Sequence, residues 1–256
     1  MAPRRIRAQE RMTLPPNRQK PSPHAADAQQ NRLLALLPPR VLGRIVPHLE
    51  PVHLHRKEVL FRAHEPVRAA YFPSSAVISL VSTLESGQSL EVGLIGRDGL
   101  AGTAVLPGIT QMSCDGVVQI PGLAHRMSAE ILRREVLGDE TLYSTVGRFA
   151  QVLLVRSMQM SVCNMFHSVE QRCIRWLLTV SDLINNGDIP LTHDLMATML
   201  GVHRPTVTVV LRSLHRAGLV NEKRGLILIR DRDRLQDACC ECYRVMRDEQ
   251  WRLLGY

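Results

Sequence analysis

No apolar run in the chain approaches the length of a membrane span, and no signal-peptide hydrophobic core follows its basic start. The expected setting is the cytoplasm, with no membrane partner. Of the six cysteines, Cys239 and Cys242 form a single C-x-x-C with no second pair to complete a zinc site, and no metal site is expected. Reduced thiols are expected rather than a disulfide framework. There is no Ser/His/Asp order, no nucleotide-binding glycine fingerprint and no metal-binding helix motif, so neither catalysis nor a cofactor is expected. What the chain does carry is positive charge. A net charge of +8 over 256 residues is consistent with a polyanionic partner, and the length is enough for two domains with sizeable cores.

The most informative stretch runs from Pro190 to Leu214. Leu195, Met196, Met199 and Leu200 mark one short amphipathic helix, and Val207, Val210, Leu211 and Leu214 mark a second. Gly201 falls where the chain must turn sharply, a position that favours positive φ, and Val202 is placed to plug the angle between the helices. This is the pattern of a helix-turn-helix, and it predicts binding to double-stranded DNA. Thr192 suits the N-cap of the first helix, with Asp194 near its positive dipole end. On the second helix Arg204, Thr208 and Arg212 form the expected outer face, with His203, Pro205 and Thr206 at its start and His215 and Arg216 near its end. An arginine there can reach guanine O6 and N7, and threonines can reach phosphates or a thymine methyl. Leu219–Glu222 and Leu226–Ile229 are β-prone runs around the basic turn Lys223-Arg224-Gly225, which predicts a wing with its tip at the phosphates.

The rest of the chain divides by pattern. Residues 1–30 are rich in Arg, Pro, Gln and Ala and are read as a disordered basic tail. Arg4, Arg5, Arg7, Arg11, Arg18 and Lys20 either add nonspecific DNA affinity or are simply solvated. Residues 31–138 begin with a short helical segment broken at Pro38-Pro39. Short β-prone runs follow: 52–54, 59–61, 70–72, 77–81, 90–95, 116–120 and 123–126, with a hairpin tip at Glu85–Gln88. Many short strands without interleaved helices predict a β-roll or double-stranded jelly roll. A long helix follows, starting near Ser128 or Asp139, with residues 139–165 assigned to dimerisation. Leu142, Val146, Phe149, Leu153, Arg156, Met160 and Cys163 step by four and three, a seam that packs either on a second copy of the chain or on its own β-domain. Residues 166–256 form the third unit. A helix from His167 to about Ile184 and a turn at Asn185–Asp188 precede the motif. The fold class is α+β: a β-roll, a long helix and a C-terminal winged helix-turn-helix.

This order, with Gly201-Val202-His203-Arg204-Pro205-Thr206-Val207 at the turn and helix start, resembles the Crp/Fnr family of bacterial transcription regulators. The resemblance covers about residues 33–235. It implies a homodimer on a palindromic site, with RNA polymerase as a further partner. It also implies that Arg204 contacts guanine. The family's usual serine before that arginine is His203 here, its common glutamate after it is Pro205, and a second family arginine matches Val209. A base preference different from the family's best-known one is therefore expected.

In the sensor half, the family's cyclic-nucleotide members carry a Gly-Glu pair for the ribose and an Arg-Ser or Arg-Thr pair for the phosphate. The matching region places an effector pocket at Arg97, Gly99, Leu100, Ala101, Gly102, Met112 and Ser113. No glutamate follows Gly102, and Met112 stands where the phosphate arginine is expected, which leaves a buried phosphate poorly paired unless Arg97 substitutes. The family's iron–sulfur members hold their cluster through cysteines near the N-terminus, and this chain has none before Cys114. Cys239, Cys240 and Cys242 are read as small apolar residues packing a terminal helix, against the alternative of a thiol sensor or metal site. His48, His53, His55 and His64 are read as solvated strand histidines. An alternative function is a redox- or ligand-sensing module that acts mainly through protein contacts.

Overall fold

A computed structural model describes residues 27–106, 108–184 and 188–256. The basic side chains of the tail and most of the expected turn at 185–188 lie outside these residues. Asp27–Gln30, expected in the tail, instead form a helical turn with Ala28 fully buried. Asn31 follows, also buried. Its side-chain oxygen caps helix α1 (Arg32–Ala35) by accepting from the Leu34 amide, and its Nδ2 donates to the Pro73 and Gly99 carbonyls. This turn is thereby fixed to the domain behind it. Helix α2 (Pro39–Ile45) starts at its proline, where the missing N–H has no intrahelical partner to lose.

The β-domain has two antiparallel sheets. Strands β1 (Glu50–Leu54), β2 (Val59–Phe61), β3 (Ala69–Pro73), β4 (Val77–Thr83), β5 (Ser89–Ile95), β6 (Asp115–Ile120) and β7 (Gly122–Ser128) are ordered β1-β7-β3 and β2-β6-β4-β5. Each expected run became a strand. Leu54, Phe72, Ala124 and Met127 from one sheet and Phe61, Ile78, Leu80, Ile95 and Val118 from the other share a single core. Gly116 is required there, because a Cβ on it would come within 2.4 Å of the Phe61 ring.

Both expected starts of the long helix exist, as two helices. Helix α3 (Ala129–Gly138) ends at Asp139, whose extended backbone breaks the run, and α4 (Glu140–Phe166) begins there. The Asp139 carboxylate accepts from the Leu142 amide and pairs with Arg44 at 3.0 Å. That amide, followed by Arg44, holds its carboxyl below the ordinary range.

The seam Leu142, Val146, Phe149, Leu153 and Met160 does not face a second copy: all five are buried within the chain, four of them in the core of the β-domain. This corrects the dimerisation expectation. The helix lies on its own domain with the same period a dimer seam would have. A different stripe faces outward, with Tyr143, Leu154, Met158, Val162 and Met165 exposed.

The third unit is helical around a small sheet. Helix α5 (Val169–Leu183) opens with a capping box between Ser168 and Gln171. Strand β8 (Asp188–Pro190), helices α6 (His193–Leu200) and α7 (Arg204–Arg216), and strands β9 (Val220–Lys223) and β10 (Leu226–Ile229) follow, with sheet order β8-β10-β9. Helix α8 (Arg232–Asp237) leads to α9 (Cys242–Leu254). This last helix, expected wholly within the third unit, runs back along α4. Leu254 enters the β-domain core, and the Tyr256 hydroxyl donates to the Asp98 carbonyl at 2.6 Å.

Three elements meet at Arg156, the one charged residue of the inward seam. Its guanidinium donates to Asp98 at 2.6 Å, to Gln250 of α9 and to the Leu94 carbonyl, all buried. No helix among the described residues is long and apolar enough to cross a membrane.

Candidate nucleic-acid interface

Gly201 adopts φ 62°, the left-handed conformation its place in the turn demands, and the Val202 amide donates back to the Ala197 carbonyl. Thr192 caps α6 by accepting from the Leu195 amide, so its hydroxyl serves the helix. Val207, Val210, Leu211 and Leu214 of α7 are buried against the core of this unit. That anchoring decides which side of the helix faces outward.

The outward side differs from the expected Arg204–Thr208–Arg212 row. Opposite the buried face stand Pro205, Val209, Arg212, Ser213 and Arg216, all exposed, with Thr206 beside them; Val209 is 67% exposed. Arg204 and Thr208 lie on the flank towards α6 and the wing. The Arg204 Nε stands 3.3 Å from Asp194, an exposed pair that is easily exchanged for another anion. The Thr208 hydroxyl meets His193 Nδ1 at 3.0 Å, and His193 Nε2 meets Glu222 of β9 at 2.7 Å. His193, which sequence reasoning did not single out, thereby joins both helices of the motif to the wing. Spacing gave no signal for it, because its partners lie 15 and 29 residues away. His203 sits exposed at the N-cap of α7 without capping it.

The wing is as expected. β9 and β10 pair around Lys223, Arg224 and Gly225, with Arg224 and Gly225 both at positive φ. Lys223 and Arg224 are exposed at its tip. Thr192, Arg204 and Arg224 line one shallow cleft between α6, α7 and the wing. A surface of this composition can hold phosphates at the wing and at Arg204, and base edges along Arg212 and Val209.

The expected effector residues do not converge. Leu100 and Ala101 are fully buried, and Ala101 exchanges backbone hydrogen bonds with Tyr71. Gly99 lies so close to α4 that a Cβ on it would fall 2.0 Å from the Phe149 ring. A Cβ on Gly102, at φ 89°, would stand 2.9 Å from the Ala69 carbonyl oxygen. The Met112 sulfur accepts from Thr103, and Ser113 is exposed. Arg97 lines a different space, a cleft of about 500 Å³ between the β-domain, α5 and α9. The glycine-rich segment is thus where the roll docks on the long helix, which corrects the pocket expectation.

The third unit also docks on the roll. Glu91 of β5, almost wholly buried, accepts from Trp176 Nε1 of α5 at 2.8 Å and from the Ser79 hydroxyl at 2.7 Å. Burial, only partly offset by these hydrogen bonds and by Arg175, pushes its carboxyl up to about 7. The cysteines, too, are not placed as expected. Cys239 packs against the cluster without joining it, while Cys240 and Cys242 meet Cys163 and His167 from the end of α4, a set able to hold a metal ion.

Residues 171–238 match the Crp-like helix-turn-helix domain. No curated protein matches the chain in sequence. Among solved structures, FixK2 from Bradyrhizobium japonicum superposes with a TM-score of 0.65 at 16% identity, covering 75% of this chain and 98% of that one. A Crp/Fnr-family putative transcriptional regulator from Eubacterium rectale gives 0.62 at 18% identity, covering 82% and 98%. The c-di-GMP-responsive global regulator CLP of Xanthomonas campestris gives 0.59 at 16% identity, covering 75% and 99%. Residues 171–238 thus form a Crp-like helix-turn-helix domain, and the chain around it has the fold of these regulators.

Proposed function

We propose that the protein is a homodimeric regulator that reads a palindromic DNA site, competent without a cyclic nucleotide. The observation that carries this reading is the exposed face of α7. Its Val209, Arg212, Ser213 and Arg216 stand beside a basic wing tip, on a helix whose other face is locked into a core. The second copy is expected on the outward stripe of α4. Tyr143, Gly147, Ala150, Leu154, Met158, Ser161 and Met165 succeed one another by threes and fours, as two helices packed side by side require. Large apolar side chains repeated along one exposed face favour a covered surface over a solvated one. Residues 31–138 then act as the sensor-like unit, 139–165 as the dimer helix and 166–256 as the DNA-binding unit, with α9 shared between units. The reading places the protein in the cytoplasm with RNA polymerase as a further partner.

Independence from cyclic nucleotides is supported by the roll itself, where the segment that would hold the ligand is packed against Phe149 and Tyr71. The test is selection of genomic DNA fragments by the full-length protein, with and without cyclic AMP, at near-physiological salt. A palindrome with half-sites about 10 base pairs apart, enriched equally in both arms, is the expected result. Enrichment only with the nucleotide would overturn its independence, and purely salt-sensitive, sequence-blind binding would overturn the reading as a whole.

A further inference from the structure

We propose that Cys163, His167, Cys240 and Cys242 bind a single zinc ion, in a tetrahedral site that pins the hinge between the long helix and the DNA-binding unit to the start of the last helix. The four residues come from two places. Cys163 lies in the final turn of α4, and His167 is the residue that ends it, its amide donating to the Cys163 carbonyl. Cys240 and Cys242 flank Glu241 where the chain enters α9. The Sγ and ring-nitrogen atoms all lie within 4.8 Å of one another. The Cys163 and Cys240 sulfurs are 3.6 Å apart, and the Cys242 sulfur is 3.5 Å from His167 Nδ1.

These separations point to one ion. A tetrahedron with Zn–S bonds near 2.3 Å and Zn–N bonds near 2.0 Å has edges of about 3.5–3.8 Å. An iron–sulfur cluster holds its thiolates around a core several atoms wide, so its ligands stand further apart. A disulfide would join only two of the four residues and would leave no reason for the histidine to converge on them. Three thiolates and an imidazole are also a donor set that zinc takes in closed, structural sites.

The surroundings fit a bound cation. The second ring nitrogen of His167, Nε2, stands 3.2 Å from the Glu241 carboxylate, the arrangement that orients an imidazole ligand with its other nitrogen towards a metal. Gln159 Nε2 donates to the Cys242 sulfur at 3.1 Å, as a coordinating thiolate prefers. Three thiolates, a neutral imidazole and a divalent ion carry a net charge of −1. Buried Arg175, which interacts electrostatically with Cys163, has no hydrogen-bond partner at Nε among the described residues, and such a centre would balance its charge. The three sulfurs and the histidine are buried or nearly so, which closes the site to substrate and assigns it a structural role.

The test is metal analysis of full-length protein purified under reducing conditions, together with Co²⁺ substitution. About one zinc per chain is expected, and a Co²⁺ spectrum with thiolate charge-transfer and tetrahedral ligand-field bands. Cys242→Ser and His167→Ala should lose both signals. Glu241→Gln alters an exposed side chain and should fold normally, yet bind zinc about 10- to 100-fold more weakly. Wild-type protein that neither contains zinc nor yields the Co²⁺ spectrum would overturn the proposal. So would a Cys163–Cys240 disulfide in metal-free protein, iron in place of zinc, or zinc retained undiminished in all three variants.

Discussion

At the scale of single residues, the two side chains with most at stake are Glu91 and Arg212. Glu91 is buried between Ser79 and Trp176, with Arg175 the charged group that faces it and Gln119 close to Ser79. Its carboxyl ordinarily titrates near 4.5, and in the folded chain near 7. The folded state therefore holds this proton more tightly than the unfolded one. The stabilisation is complete below about pH 4.5 and is lost as pH rises through 7, a loss of roughly 3 kcal/mol by linkage. Glu91→Gln keeps an acceptor for Trp176 and carries no charge. Urea unfolding at about pH 5 and about pH 8 should show the wild-type difference shrink in this variant; an unchanged difference would assign it to other groups. Arg212 is a reader of bases in the proposed function. Arg212→Ala should weaken specific binding by about 1–3 kcal/mol and relax preference at one position, measured by competition with single-base variants of the selected site. Val209 is expected to contribute contact rather than hydrogen bonds, so Val209→Arg should alter the selected sequence instead of abolishing selection.

At the scale of elements, α4 shows both what a sequence makes legible and what it hides. Every strand of the roll, both helices of the motif and the wing could be read from periodicity and turn residues, because each buries one face and meets solvent on the other. On α4, Leu142-Val146-Phe149-Leu153 and Tyr143-Gly147-Ala150-Leu154 carry the same spacing, one residue out of phase. Period alone does not say which stripe meets the roll. The roll's own need decides it, since its core is closed by Leu142, Val146, Phe149 and Leu153. The second stripe is then the one that the proposed function assigns to a second copy. Leu154→Glu with Met158→Glu should give monomers by light scattering while the circular dichroism spectrum is kept. A dimer persisting in that double variant would move the interface to another surface. The same limit hid the cluster at Cys163 and the flank around His193, whose members are brought together only by tertiary packing. The turn at Gly201, by contrast, was legible because backbone geometry there admits few residues besides glycine.

At the scale of the whole molecule, the chain is bound together at Arg156. Its guanidinium spans the roll through Asp98, the long helix it belongs to and α9 through Gln250. Arg156→Met would leave the Asp98 carboxylate buried without its cation, a loss of about 3–5 kcal/mol of stability. Adding Asp98→Asn should recover much of that loss, and denaturant titration of the two single variants and the double variant would measure the coupling. The Arg156 contacts, with Trp176 on Glu91 and the last turn of α9 in the roll's core, leave no seam along which the molecule separates into two independent folding units. Calorimetry of the intact protein should accordingly record one heat-absorption peak rather than two. In Arg156→Met the peak should broaden or split. A molecule built this way has little slack between its ends. The heat needed to loosen the outward face of α7 is the heat that melts the roll, so under the proposed function the temperature at which the protein releases its DNA site should coincide with the temperature at which it unfolds.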